Sequence, residues 1–113
     1  MYLLIIILNN EKYLDDLLAS LVELGIEHAE IIDAESMSTI LAEKIPIFAS
    51  LRLSLSHSKI YSKAILALTE NKNTGKNISK ILKALNIDFE KENRIIVIKT
   101  ESVIGNLGDI NLI

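Results

Sequence analysis

Seven apolar residues in an unbroken row, Tyr2 to Leu8, limit what this chain can fold into more than any other stretch. They are too few to span a bilayer, which takes about 20 residues as a helix. Their isoleucines also favour a strand. Ended by Asn9-Asn10, the run reads as a strand buried on both faces, and such a strand belongs in the middle of a sheet. A secretory signal is the competing reading. No basic residue precedes the run, and Glu11 and Lys12 follow in place of a small-residue cleavage site. The expectation is a cytoplasmic protein with no integral membrane segment.

With 113 residues, half of them apolar, the chain is expected to form one domain over residues 1–113 with a real hydrophobic core. It has no Cys, so disulfides, thiolate metal sites and Cys nucleophiles are all excluded. The net charge of -3 is unevenly spread: residues 1–57 carry -6 and residues 58–113 carry +3. The second half can therefore meet an anion. An acidic whole with few aromatic residues argues against nucleic acid as a partner.

The remaining elements follow from periodicity. Leu14, Leu17, Leu18, Leu21 and Val22 form the stripe of an amphipathic helix over Glu11 to Leu24, with Asn9 or Asn10 as cap and Gly25 as stop. Ile26 to Glu35 reads as a second strand. Ser36 to Ser58 has no single period, and Pro46 breaks any long helix there; short turns are expected at Thr39 to Glu43 and Phe48 to Leu53. Because this long connection is apolar, it should pack on another subunit or fold over a site.

Ile60 to Leu68 reads as a third strand, Asn71 to Gly75 as a turn, Lys76 to Leu85 as a second helix and Asp88 to Asn93 as a charged loop. Arg94 to Thr100 supplies a fourth buried strand, and the tail Glu101 to Ile113 a short edge strand. Two βαβ halves with right-handed crossovers give an α+β fold, the ferredoxin-like plait: an antiparallel four-stranded sheet, two helices on one face and a long β2–β3 loop. A sheet this apolar cannot leave its other face in water, so subunits should pack through it.

Catalytic motifs are lacking. Asn73-Thr74-Gly75-Lys76-Asn77 has part of a phosphate loop but not the full spacing, and reads as a turn with a helix cap. Lys76, Lys80 and Lys83 share a polar helix face. Neither His28 nor His57 has metal-ligand spacing around it, and Ser54, Ser56 and Ser58 lack a nucleophile elbow. The protein is expected not to be an enzyme.

The opening strand, the helix ending in Glu23-Leu24-Gly25-Ile26 and the second strand running into a long loop resemble the PII-like signal-transduction proteins, relatives by fold of the CutA proteins. Ile45-Pro46-Ile47-Phe48-Ala49-Ser50-Leu51-Arg52 is similar to a variant loop of PII-like proteins. The likeness covers residues 1 to about 104. It implies a homotrimer with inward-facing sheets and clefts between subunits. There a small anionic metabolite such as an adenine nucleotide would bind, while the 36–58 loop addresses a partner protein.

On this sequence the resemblance points to Glu35, Ser36, Met37 and Ser38 at the strand-to-loop corner, Lys63 on the third strand and Arg94 on the fourth. Ser36-Met37-Ser38 stands where the family has Gly-x-Gly, and Phe89-Glu90-Lys91-Glu92-Asn93 where it has a glycine-rich phosphate loop. Those replacements remove the bare backbone that lets N–H groups approach a phosphate. The alternative is a CutA-like divalent-metal protein, with His28 or His57 meeting carboxylates across an interface. An acylphosphatase-like enzyme would need an Arg near a glycine-rich loop after the first strand, and Asn9-Asn10-Glu11-Lys12 supplies neither.

Overall fold

The structure, a computed structural model, describes residues 1–44, 47 and 62–106. Four strands form one sheet: β1 (Tyr2–Leu8), β2 (Glu30–Asp33), β3 (Lys63–Thr69) and β4 (Arg94–Lys99). Among the described residues three α-helices accompany them: α1 (Leu14–Glu23), α2 (Met37–Lys44) and α3 (Thr74–Ala84). The sheet order is β2-β3-β1-β4 and every neighbouring pair is antiparallel. The chain is thus α+β, with β1 paired along its length on both sides.

Register divides the sheet into two unlike faces. Leu4, Ile6 and Leu8 of β1, with Ile65 and Ala67 of β3, are buried against Leu17 and Leu21 of α1 and Ile78 and Leu82 of α3. Phe89, from a 3-10 turn at Phe89–Lys91, completes this core. The alternate residues face the other way. Cross-strand rows place Leu3 beside Leu68 and Ile98, Ile5 beside Leu66 and Ile96, and Ile7 beside Ala64, which in turn adjoins Ile32. Arg94 beside Ile7 and Glu30 beside Leu66 share these rows; the other nine residues are aliphatic, and all are half-buried or exposed.

Both long helices stop by the same device. Gly25, at φ +84°, donates its N–H to Val22 O while the Ile26 N–H reaches Leu21 O at 2.8 Å. At the end of α3, Asn86, at φ +63°, donates to Lys83 O and Ile87 to Leu82 O. These are paired Schellman closures, in which a left-handed residue turns the chain and the following apolar residue packs back. Gly25 carries no side-chain penalty there, and Asn tolerates the same conformation.

Several expected boundaries change for physical reasons. Glu11–Tyr13 is a 3-10 turn ahead of α1, with the Asn10 side chain accepting from the Lys12 N–H at 3.2 Å. The second strand is only Glu30–Asp33, not Ile26 to Glu35, because Ile26 is taken up by the helix stop and buried in the core. The short turn expected at Thr39 to Glu43 is a full helix, α2 (Met37–Lys44), because Ser36 Oγ accepts from the Thr39 N–H at 3.2 Å and supplies a cap. The turn expected after Pro46 lies outside the described residues.

The third strand begins at Lys63 rather than Ile60, and the second long helix at Thr74 rather than Lys76. Tail residues 101–106 are not a strand. The fourth strand is not buried as expected. It has β1 on one side only, so Ile96, Val97 and Ile98 remain 39–44% exposed. β1 is paired on both sides yet fully buried only through its helix-side residues, because the helices cover one face of the sheet.

The one-sided core makes a direct prediction. Ile6→Ala should cost about 2–5 kcal/mol, as burial without repacking demands. It would be read as a lower urea midpoint at unchanged slope. Ile5→Ala, on the opposite face, should cost clearly less in a dilute sample. Equal losses would contradict this division of the sheet.

Candidate functional site

The end of the sheet where β1 finishes and β4 begins is tied together by side-chain amides. Asn93 is buried; its Oδ1 accepts the Asn9 N–H at 2.7 Å and its Nδ2 donates to Phe89 O at 3.0 Å. Asn9 Nδ2 donates to Glu92 O at 2.8 Å, and Asn10 Nδ2 to the Glu92 carboxylate at 2.9 Å. Two successive asparagines after β1 thus hold the residues that lead into Arg94. The sequence signal was present in Asn9-Asn10 and Asn93, but nothing local shows that residues 84 apart are partners.

A second anchored turn lies at the other end of the sheet, beyond Thr69, where β1 begins and β4 finishes. Asn71 Oδ1 accepts the Asn73 N–H at 2.8 Å, and the buried Thr74 hydroxyl donates to Asn71 O at 2.8 Å. This is the side-chain-to-backbone turn expected of Asn and Thr, and it launches α3. Gly75 then brings α3 close to β4: a Cβ there would stand 3.1 Å from Cγ2 of both Ile95 and Val97.

Between these two turns is a cleft of about 440 Å³ along the β4 edge. Lys72, Lys76 and Arg94 line it with Glu90, over Gly75, Ile95 and Val97. Glu90 accepts from the Ser79 hydroxyl at 3.3 Å. Among the described residues, none of the three cationic side chains has an ion pair or hydrogen bond. Unpaired cations raise the local positive potential and are free to meet an anion.

The six residues singled out from the sequence do not converge within one chain. Glu35, Ser36, Met37 and Ser38 form the exposed corner between β2 and α2, where Ser36 Oγ lies 2.8 Å from Thr39 Oγ1 and 3.1 Å from Ser38 Oγ. Lys63 is next to this corner and is paired with Asp33 across the β2–β3 ladder. Arg94 is at the far edge, on β4. Three inter-strand steps separate β2 from β4, roughly 14 Å. The two groups share one end of the sheet, since Asp33, Lys63, Leu8 and Arg94 are all strand ends on that side.

Lys72 and Lys76 enter the arrangement through structure alone. Sequence had placed Lys76 on a solvated face with Lys80 and Lys83, and all three are exposed. What it did not show is that the α3 start lies beside β4. His28 lines a different groove, with Glu30, Leu66 and Leu68, while His57 lies outside the described residues. Among the described residues no three His, Cys, Asp or Glu side chains gather as a metal site, and no helix is long and apolar enough to cross a membrane.

Compared with protein-family models, curated proteins and solved structures, the chain has no match.

The amide lacing is testable by stability. Asn93→Ala leaves the Asn9 N–H without its acceptor and should cost about 1–3 kcal/mol. That loss should lower the melting temperature by several degrees. An unchanged melting temperature would show that Asn93 does not hold this end of the sheet.

Proposed function

We propose that this protein is a non-enzymatic, PII-like regulator that assembles as a homotrimer and binds a small anionic metabolite between subunits. The chain path is read as a ferredoxin-like plait, β-α-β-β-α-β, with α2 added in the β2–β3 connection. An adenine nucleotide is the ligand that the family likeness implies. The 36–58 segment is read as the part whose shape changes on binding and which addresses a partner protein. Such a switch requires the ligand to prefer one segment conformation over another. The setting proposed is the cytoplasm.

One observation carries this reading: a sheet face whose aliphatic residues are half-buried or exposed among the described residues, with candidate ligand groups at its opposite edges. Contiguous apolar surface of this kind marks an interaction site. Burying it returns about 25 cal/mol per Å² of apolar surface removed from water. In a closed ring each copy meets its neighbour through two different patches. The Glu35–Ser38 corner of one copy can then approach Arg94 of the next, which a single chain does not allow. The ion pair between Lys63 and Asp33 gives Lys63 a structural role at this corner unless a ligand displaces Asp33.

The test is thermal unfolding with ATP, ADP, AMP, cyclic nucleotides, bicarbonate, 2-oxoglutarate and divalent copper. A ligand at about 100 times its dissociation constant adds roughly 2.7 kcal/mol, a shift of several degrees. One anionic metabolite is expected to produce it. Arg94→Ala should weaken that ligand while leaving the assembly intact. A response to copper alone, or to nothing in the panel, would contradict the anion-sensing reading.

A further inference from the structure

We infer that the α3–β4 cleft is the seat of the anion, and that it takes a phosphate monoester with a compact apolar or ring-shaped body. This rests on the reading that Arg94 meets an anionic metabolite, and it adds the residues that hold the ligand's two halves. Lys72 and Lys76 contact the phosphate together with Arg94. Gly75, Ile95 and Val97 form the surface on which the body lies.

Charge argues for the first half. Three cations and one carboxylate line the cleft, leaving a net surplus of two positive charges around a confined volume. A surface cation usually finds an acid nearby. Here the one lining acid, Glu90, receives the Ser79 hydroxyl instead, and no ion pair is formed by Lys72, Lys76 or Arg94 among the described residues. The cations come from three places along the cleft: the Asn71–Asn73 turn at one end, the first turn of α3, and the start of β4 after the Asn93 lacing at the other. Arg offers a planar fork to phosphate oxygens, and lysines supply point charges around it.

Shape argues for the second half. Because Gly75 has no side chain, helix and strand meet closely and leave Ile95 and Val97 at the cleft floor. Val97 stays 39% exposed although its neighbours on the same face are core residues. A bare inorganic anion would leave that apolar floor wet, whereas an esterified phosphate covers it. Glu90 stands at the rim as an acceptor for an N–H or O–H on the body.

The full-length protein is titrated with phenyl phosphate, inorganic phosphate and phenol while backbone amide resonances are followed by NMR. Phenyl phosphate should move the signals of residues 72–76 and 94–97 at lower concentration than inorganic phosphate, and phenol should bind more weakly still. The double variant Lys72→Glu/Lys76→Glu, whose sites are exposed and outside the core, should weaken phenyl phosphate at least about tenfold. Added salt should weaken it further. Equal binding of phenyl phosphate and inorganic phosphate would overturn the apolar floor. Binding lost in Arg94→Ala but kept in the lysine double variant would overturn this cleft while leaving the Arg94 reading intact. A wild-type protein inert to all three probes would overturn both.

Discussion

Pairing of β1 with β3 on one side and β4 on the other sets the whole structure, because it commits an isoleucine-rich strand to two faces at once. Its residues alternate between the helix side and the open side, so a register slip of one would exchange the two sets. The helix-side set is fully satisfied: Leu4, Ile6 and Leu8 have no solvent exposure. The open-side set is equally apolar, and among the described residues Leu3, Ile5 and Ile7 are only half-buried. The chain therefore carries a second hydrophobic surface as a direct consequence of the strand that builds its core.

How much of this was legible in the sequence depended on whether the signal was local. The Tyr2–Leu8 run places β1 centrally, and the Leu14–Val22 stripe with Gly25 marks α1 and its stop. Both are short-range patterns. The Ile95–Ile98 run looked like another buried strand, since a continuous apolar run reads alike whether or not a neighbour lies on each side. Only topology shows that β4 is an edge. The turn expected at Thr39 to Glu43 is part of the longer α2, whose start at Met37 is set by the Ser36 cap. Phe89, in a run of charged residues, is wholly buried because a 3-10 turn aims it back at the core.

The candidate site was less legible for the same reason. Arg94 was named from the sequence, but the neighbours that give it meaning come from elsewhere in the chain. Asn9 fixes Asn93, Asn71 fixes the turn carrying Lys72, and Gly75 sets the distance between α3 and β4. Lys63, named with Arg94, is instead held by Asp33 at the other edge. The candidate site residues thus lie at sheet edges and connections, while the alternating residues of the strands supply the platform.

The central claim is that the open aliphatic face is covered by further copies of the same chain. Sedimentation equilibrium of the untagged protein over a range of concentrations tests it most directly. The account predicts a mass that approaches three times the 12.6 kDa of the chain as concentration rises. A mass of one chain at every concentration would contradict it.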